Sequence, residues 1–396
     1  MNKIGSVKNK NILFLQGPMG NFFKKLDTLF TQHGAKTYKI GFNAGDSFFS
    51  NKHNYIAYRD TRENYKDFIK DFLQKQKIDK IFLFGDCRFY QKISIQVASS
   101  LGVAVFVFEE GYIRPNYITM ERFGVNDFSH VSRDANFYKK VTVVKELNAV
   151  DVQYSQFNMV ISSASYYLLS NIFKFRYPHY IHHRDFSAIK EAFFGIRSLV
   201  RKLVYPLFEK KYLTTISHEL SKKYFFVPLQ TYNDFQVLEH SGYKSIEKFI
   251  IEVLDSFSKT DGDIWLIFKH HPVDRGRKNY KSFILEQARH FEVDKRVLVL
   301  HDTHLPTLLK NAKGTITINS TVGLSSLYHE TPTITLGNAI YDIENLTCKG
   351  MKLDTFWYTQ DSPDMELFEK YRSYLIEHTQ LNGSFYGCMP IIDFDD

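Results

Sequence analysis

The stretch Trp265–Pro272 joins an apolar run to side chains that can bind a phosphate, because Trp-Leu-Ile-Phe leads directly into Lys269, His270, His271 and Pro272. Proline lacks a backbone N–H and favours an extended residue before it, so a buried strand is expected to stop here and to present His271 at a fixed angle. Ligands of open α/β sheets bind just beyond the carboxyl ends of the strands. Lys269 and His271 are therefore candidate ligands of a donor phosphate.

Hydroxyl groups follow a second predicted strand, Gly314–Ile318, which leads into Asn319, Ser320 and Thr321. An apolar helical pattern comes next, and hydroxyls and backbone N–H groups at a helix start stabilise an anion. We expect this strand to neighbour the strand that begins at Trp265, so that both ends bind one phosphate and stabilise a departing nucleotide. Since no Asp-x-Asp dyad suited to a divalent ion is well placed, no metal or other cofactor is expected.

Two adjacent acids close another predicted strand, where Glu109 and Glu110 follow Val103–Phe108 and precede Gly111. Successive side chains of an extended chain point to opposite faces, so one acid can face a cleft while the other supports it from behind. In a transferase, the acid in the cleft would take the proton from an acceptor hydroxyl as it attacks. The alternative is a solvated surface pair.

Asp234 lies in the turn after Pro228, Leu229 and Gln230, and two roles are open for it. It caps a helix start, or it serves as nucleophile or electrostatic partner of an oxocarbenium-like centre, as a carboxylate does in retaining glycosidases.

Three arginines are candidates for holding the carboxylate of an acidic sugar, because a guanidinium group forms two parallel hydrogen bonds to such a group. They are Arg88, Arg114 and Arg184.

Strand-like and helix-like segments alternate along both halves of the chain, and each strand of the first half ends in polar or glycine residues. This pattern indicates α/β architecture with doubly wound parallel sheets. The predicted strands are Asn11–Gln16, Thr37–Phe42, Lys80–Phe84, Val103–Phe108, Tyr224–Leu229, Ile264–Phe268, Val297–Leu300, Gly314–Ile318 and Thr333–Leu336.

Two Rossmann-like halves facing each other across a cleft are the arrangement of GT-B glycosyltransferases, although a fold alone does not prove an activity. We predict an N-terminal Rossmann-like acceptor domain over residues 1–122 and a mainly helical insertion over 123–222. A C-terminal Rossmann-like donor domain is expected over 223–362, and a final helix and tail over 363–396 would pack back on the first domain.

A basic helical segment, Ile196–Lys223, covers the end of the predicted insertion, and its cations outnumber its acids, Glu209 and Glu219. A basic helix with an apolar face is typical of a segment lying on anionic lipid. The alternative is a solvated helix packed on the body of the protein. The cations are Arg197, Arg201, Lys202, Lys210, Lys211, Lys222 and Lys223.

Length and composition narrow the classes of protein. The 396 residues favour two domains, and the formal charge of +8 suits an anionic substrate, an anionic membrane surface or a nucleic acid without choosing among them. Since the sequence has no apolar run long enough to span a bilayer and no signal peptide, we expect a cytoplasmic protein. The three cysteines lack metal spacing, and no nucleic-acid-binding module is present, so neither a zinc site nor a nucleic-acid partner is expected.

Six groups of short motifs are spread over the chain: Gln16–Pro18, Asn43–Asp46, Phe84–Arg88, Phe108–Pro115, Val227–Gln230 with Asp234 and Gln236, and Lys269–Pro272 with Asp274–Gly276. Together they resemble the motifs of the bacterial capsule polysaccharide biosynthesis proteins of the KpsS/LipB type. The similarity runs over nearly the whole chain, and its most specific part is the run from Phe84 to Pro115.

The resemblance implies a membrane-associated β-Kdo transferase that uses CMP-Kdo and places the first Kdo of a linker on phosphatidylglycerol. It implies that Glu110 is the general base, that His271 contacts the CMP phosphate, and that Asp234 is the nucleophile. Gln16 and Gln230 lie in these motifs and join the arginines as candidate contacts for the sugar carboxylate or the acceptor. Expected partners are phosphatidylglycerol or its lyso form, the inner-membrane surface and other capsule assembly and export proteins. The alternative is a non-catalytic component of capsule export that recognises a finished glycolipid.

Overall fold

The computed structural model describes residues 4–143, 149–182, 188–238 and 241–394, without the side chains of 188–192. Its strands in chain order are β1 (Asn11–Phe14), β2 (Lys36–Gly41), β3 (Tyr55–Ala57), β4 (Lys80–Phe84), β5 (Ala104–Glu110), β6 (Tyr117–Arg122), β7 (Tyr224–Pro228), β8 (Trp265–Lys269), β9 (Val297–Leu300), β10 (Gly314–Thr317), β11 (Thr333–Thr335) and β12 (Gln380–Asn382). Its α-helices are α1 (Phe22–Gln32), α2 (Ala44–Phe48), α3 (Tyr65–Lys75), α4 (Phe89–Ser100), α5 (Ala135–Tyr138), α6 (Gln156–Ile172), α7 (Ala188–Ser217), α8 (Phe235–Leu238), α9 (Ile246–Ser258), α10 (Lys281–His290), α11 (Leu305–Asn311), α12 (Val322–Tyr328), α13 (Leu353–Phe356) and α14 (Met365–His378).

The chain divides into two compact units. The first comprises Met1–His130, Val144–Ala188 and Tyr374–Asp396, and the second comprises Val131–Val143 and Ile189–Ser373. The residues of the expected insertion, 123–222, are therefore shared between both units. The end of the chain belongs to the first unit, where β12 pairs with β6.

The sheet of the first unit has seven strands in the order β12-β6-β5-β4-β1-β2-β3. The five strands from β5 to β3 are parallel, and β6 and β12 extend the sheet by antiparallel pairing. The sheet of the second unit has five strands, all parallel, in the order β11-β10-β7-β8-β9. Both sheets confirm the predicted α/β class with two Rossmann-like halves in one chain.

Alternation along the strands builds two cores in the first unit, one on each face of its sheet. Aliphatic residues such as Leu13 and Val105 enter one core, while their neighbours Phe14 and Phe106 enter the other. The second core is rich in phenylalanine, and Phe82 stacks on Phe106 with ring centroids 4.8 Å apart. A strand that is buried on both faces reads as a continuous apolar run, which is why these strands were predictable.

The sheet of the second unit is buried in the same way. Phe225 and Leu266 face one cluster, and Phe226 and Ile267 face the other. Among the helices that the structure describes, none combines the length and the hydropathy needed to cross a bilayer.

Gly111 follows β5 at a point where the chain passes very close to β6. A Cβ on residue 111 would lie 2.1 Å from the backbone oxygen of Tyr117, and a backbone atom cannot turn aside as a side chain can. We expect Gly111→Ala to destabilise the chain by about 2 kcal/mol or more and to lower its melting temperature.

Gly195→Ala is the matched control, because a Cβ on this residue of α7 meets no atom within 4 Å. Alanine is favoured over glycine in a helix by about 1 kcal/mol, so this variant should melt at the wild-type temperature or above it. Thermal unfolding followed by circular dichroism measures both. Equal melting temperatures for Gly111→Ala and wild type would contradict the close approach.

Candidate functional site

The two acids at the end of β5 lie in different surroundings. Glu110 is exposed, whereas Glu109 is half-buried and accepts a hydrogen bond from the backbone N–H of Glu110 at 3.0 Å. Burial raises the pKa of Glu109 to about 7, although its bond from that N–H and the charge of Arg88 act in the opposite direction. Glu110 is thus accessible to solvent while Glu109 packs at the strand end, and the catalytic role of either acid stays a prediction.

Arg88 lies beside Glu109 at the turn after β4, close enough for its charge to act on that carboxyl. Gly85 has a φ of +69°, and a Cβ on it would lie 3.7 Å from Glu109 Oε2 and 3.8 Å from Arg88 Nε. The guanidinium group also stacks over the ring of Phe84 at 5.2 Å and donates to Gln16 Oε1 at 3.3 Å. Arg88 is therefore held at the carboxyl edge of the sheet, next to the two acids.

Gln16 is buried, and its amide group is engaged by the protein. Its Nε2 donates to Tyr166 Oη at 2.8 Å and to Asp46 Oδ2 at 3.2 Å, while its Oε1 accepts from Arg88. The geometry makes Gln16 a residue that orients Arg88, and direct contact with a sugar or acceptor stays a prediction.

Arg114 and two tyrosines complete this edge. Arg114 is exposed, and its Nε donates to the carbonyl of Gly111 at 3.2 Å. Burial raises the pKa of the Tyr154 and Tyr386 phenols, and the negative charge of Glu110 raises both further. Sequence reasoning missed these tyrosines, since neither belongs to a motif and they come from distant parts of the chain. Arg184 lies outside the described residues.

His271 follows β8 in the second unit and caps the 3₁₀ turn Pro272–Gly276. Its backbone is extended, as Pro272 requires, and its Nδ1 accepts from the N–H of Val273 at 3.2 Å. In the neutral ring the proton then belongs on Nε2, which can donate it to an anion. This geometry suits the predicted phosphate contact.

His270 has a structural role. Its Nε2 accepts from the N–H of Tyr280 at 2.7 Å, its Nδ1 donates to the Leu300 carbonyl at 3.3 Å, and burial lowers its pKa to about 3. Lys269 is also buried, and its ammonium donates to the carbonyl of His270 at 3.4 Å. Burial lowers the pKa of Lys269, although Asp302 and other charges oppose part of that shift. Its contact with a phosphate stays a prediction.

A small pocket lies beside His271, and α7 supplies part of its wall. Arg275 is bonded to Asp302 by both its Nε, at 2.6 Å, and its Nη2, while Lys278 pairs with Glu247 at 2.8 Å. Two of the cations that line the pocket are thus held in place by acids outside it. The lining residues are Arg201, Tyr205, His270, His271, Pro272, Arg275, Lys278, Asn279 and His301.

His301 faces the same pocket and was missed by sequence reasoning. Its Nδ1 bonds Glu209 Oε1 at 3.1 Å, and its buried Nε2 has no hydrogen-bond partner among the described residues. Its ring stacks between Tyr205, at 4.1 Å, and His270, at 4.3 Å. A buried ring nitrogen without a partner is costly, so His301 is a candidate ligand contact.

Asp234 and Gln230 are joined to each other near the end of β7. Gln230 Nε2 donates to Asp234 Oδ2 at 3.2 Å and to Asn319 Oδ1 at 3.1 Å. Asp234 Oδ1 accepts from the N–H of Gln236 at 2.9 Å, which is a capping contact at the start of α8. The described contacts are those of the capping alternative, and the roles of Asp234 as nucleophile and of Gln230 as a sugar or acceptor contact stay predictions.

The expectation that β8 and β10 are neighbours is wrong, because β7 lies between them. Strands lie about 4.8 Å apart, so the ends of β8 and β10 are separated by roughly 10 Å, more than one phosphate spans. Ser320 Oγ accepts from the N–H of Val322, the first residue of α12, at 3.2 Å, and Asn319 Nδ2 donates to the Gln236 carbonyl at 2.9 Å. Contacts of Ser320 and Thr321 with a nucleotide therefore stay predictions.

Most of the chain is similar in sequence to known capsule polysaccharide proteins. A family model described as capsule polysaccharide biosynthesis protein matches residues 79–386. The capsule polysaccharide export protein KpsS of Escherichia coli is 37% identical over 381 residues, which cover 96% of this chain and 98% of that protein. The capsule polysaccharide modification protein LipB of Neisseria meningitidis serogroup A is 37% identical over 389 residues, covering 96% and 92%. Among solved structures, Thermosulfurimonas dismutans KpsC, beta Kdo 2,7 transferase, has a TM-score of 0.41 at 13% identity, covering 92% of this chain and 89% of that one.

Replacing Glu109 by Gln tests the raised pKa of this carboxyl. Its folded pKa of about 7 lies above the ordinary 4.5, so the folded chain holds the proton more tightly than the unfolded chain does. The stability of the wild type should therefore fall as pH rises through that window, whereas Gln has no proton to lose. The free energy of unfolding of Glu109→Gln, taken relative to that of wild type, should therefore rise by about 1–3 kcal/mol when the pH is raised from about 4.5 to about 8. Chemical denaturation at both pH values measures the change, and a stability difference independent of pH would contradict it.

Proposed function

This chain belongs to the family of capsule polysaccharide biosynthesis proteins, and we propose that it is a retaining β-Kdo glycosyltransferase. It would transfer Kdo from CMP-Kdo to phosphatidylglycerol and so start the poly-Kdo linker of a lipid-anchored capsular polysaccharide. The observation that carries the proposal is the position of Glu110 at the end of β5 and of His271 at the end of β8. Each residue lies at the carboxyl edge of parallel strands, where α/β folds bind their ligands.

The first unit would bind the acceptor and the carboxylate of the sugar. Glu110 is exposed at its strand end, so it can accept the proton of a glycerol hydroxyl as that oxygen attacks. Arg88 and Arg114 lie at the same strand ends and would hold the Kdo carboxylate through paired hydrogen bonds. Gln16 would orient Arg88 from behind, and Arg184 is a further candidate from the sequence.

The second unit would bind the nucleotide. His271 would donate its Nε2–H to the CMP phosphate, and Arg201 would add positive charge from α7. Ser320 and Thr321 would reach a more distant part of the nucleotide, since their strand is one removed from β8. Lys269, the last residue of β8, would attract the CMP phosphate through its positive charge. These groups would stabilise the leaving phosphate without a metal.

Retention of configuration requires two displacements at the anomeric carbon. Asp234 would attack this carbon as CMP leaves, forming a covalent Kdo–carboxylate ester. The acceptor oxygen would then displace Asp234 while Glu110 takes the hydroxyl proton. Gln230, bonded to Asp234 at 3.2 Å, would hold the carboxylate in position.

The proposal places the enzyme in the cytoplasm, bound peripherally to the inner face of the inner membrane. Its partners there would be phosphatidylglycerol or its lyso form, and the other capsule assembly and export proteins.

A second candidate is a non-catalytic component that recognises a finished glycolipid during export. The observation that favours it is the similarity to KpsS of Escherichia coli, which is named a capsule polysaccharide export protein. Such a component needs no nucleotide pocket, so CMP would not raise its melting temperature.

Replacing Glu110 by Gln removes the proposed base and should lower Kdo transfer about 100-fold or more, since general bases contribute that much. The measurement is mass transfer from CMP-Kdo to a fluorescent phosphatidylglycerol analogue. Glu63→Gln is the matched control, because Glu63 is also an exposed acid of the first unit, and it should transfer at the wild-type rate. Equal rates for wild type and Glu110→Gln would remove Glu110 from the mechanism.

Replacing His271 by Ala removes one charge-assisted hydrogen bond to the CMP phosphate. We expect about a tenfold weaker CMP affinity and a higher donor KM, together with slower turnover. Thermal shift in a CMP titration measures the affinity, with the exposed histidine variant His290→Ala as control. If His271→Ala is stabilised by CMP as well as wild type is, His271 does not belong to the donor site. If CMP stabilises neither, the export alternative is favoured.

A further inference from the structure

Helix α7 has the reverse of the usual orientation of an amphipathic helix. Its polar residues Arg197, Arg201, Tyr205 and Glu209 recur every four positions and face the body of the second unit. Arg197 donates to the carbonyl of Gly276 at 2.6 Å, and Arg201 donates to that of Arg275 at 2.7 Å. The arginines of this segment are therefore partly engaged by backbone carbonyls of the loop after His271.

Glu209 fixes the second half of the helix to the loop after β9. This buried acid accepts hydrogen bonds from the N–H groups of His301, at 2.7 Å, and Asp302, at 2.9 Å, and from the Thr303 hydroxyl at 2.8 Å. Burial alone would raise its pKa, but these hydrogen bonds lower it below the ordinary value. A charge that accepts this many hydrogen bonds determines which face of the helix points inward.

The opposite face of α7 is apolar and exposed. Its residues recur at the i, i+3, i+4 and i+7 spacing that normally marks a buried face. Soluble monomers rarely expose contiguous apolar patches larger than roughly a few hundred Å², and larger ones mark interaction sites. The residues of this face are Phe193 (57% exposed), Ile196 (66%), Leu199 (62%), Val200 (53%), Leu203 (68%), Val204 (37%), Leu207 (77%) and Phe208 (71%).

The charges along this face are all positive. From Phe193 to Ser217 the only acid is Glu209, which is buried, whereas Lys202, Lys210 and Lys211 are exposed. Lysine can place its stem along apolar surface and extend its ammonium group to the level of lipid headgroups. An apolar face bordered only by cations complements a bilayer with acidic headgroups.

We propose that the face of α7 formed by these eight apolar residues inserts into the surface of a bilayer that contains acidic lipid. The helix would lie in the plane of the membrane. The inference rests on the proposed function only for the choice of phosphatidylglycerol as the acidic lipid. Because Arg201 and Tyr205 of the same helix line the pocket beside His271, membrane binding would hold that pocket at the bilayer surface, where a lipid acceptor is presented.

The experiment compares vesicle binding of the full chain and its variants by co-sedimentation. Vesicles are made of phosphatidylcholine alone or of equal parts phosphatidylcholine and phosphatidylglycerol. Leu203→Ser/Leu207→Ser should bind the mixed vesicles at least about tenfold more weakly than wild type, because two inserted side chains are lost. Val150→Ser/Ile391→Ser is the matched control, since these side chains are 71% and 86% exposed elsewhere on the chain, and it should bind like wild type.

A second variant tests the charge. Lys210→Gln/Lys211→Gln should weaken binding to the mixed vesicles and reduce its dependence on salt, since surface charges act within a Debye length of about 10 Å at 0.1 M salt. Neither double variant should lower the melting temperature, because the changed side chains are exposed.

Wild-type binding of Leu203→Ser/Leu207→Ser to the mixed vesicles would overturn the proposal. So would a wild-type dimer that this variant dissociates while vesicle binding is unchanged, because the face would then belong to a second copy of the chain. The activity assay separates the two proposals. If the chain binds vesicles through α7 but transfers no Kdo, the membrane proposal is supported and the transferase proposal is contradicted. If it transfers Kdo but does not bind vesicles, the transferase proposal is supported and the membrane proposal is contradicted.

Discussion

Parallel pairing is the constraint on which the candidate site depends, because it brings the ends of separate strands out at one edge of each sheet. In the first unit Phe84 is aligned with Phe108, so Gly85, which follows β4, and Glu109, near the end of β5, lie side by side. In the second unit Pro228 is aligned with Lys269, so the residues that follow, including Gln230 and His271, emerge together. A shift of one residue in either register would turn these side chains to the opposite face. The buried apolar runs that fix the registers therefore also place the chemistry.

Those runs are also why much of the fold could be predicted from the sequence. The predicted bounds of β4 and β9 agree with the structure, and the nine predicted strands are all present. The strands that were missed, β3, β6 and β12, are short or lie at the antiparallel end of the first sheet. Pairing of β12 with β6 joins residues far apart in the sequence, such as Gln380 and Thr119, and local patterns carry no information about such pairings.

The site was predicted less completely than the fold, for physical reasons of two kinds. Strand order is set by crossovers, so the sequence could not show that β7 separates the end of β8 from the end of β10. The contacts of buried polar groups are equally invisible in a sequence. Asp234 lies near the expected strand end but accepts hydrogen bonds from Gln236 and Gln230, and His301 belongs to no motif although it faces the pocket. For α7 the pattern predicted one polar and one apolar face, while hydrogen bonds to Glu209 decide which of them points outward.

The central claim is that the end of β8 binds the phosphate of a cytidine nucleotide, and a crystal structure of the full chain with CMP tests it most directly. The account predicts a phosphate oxygen about 3 Å from Nε2 of His271, with the rest of the nucleotide extending past the end of β7 towards Ser320 and Thr321. A CMP phosphate bound away from the end of β8, or crystals soaked in CMP that contain none, would contradict it.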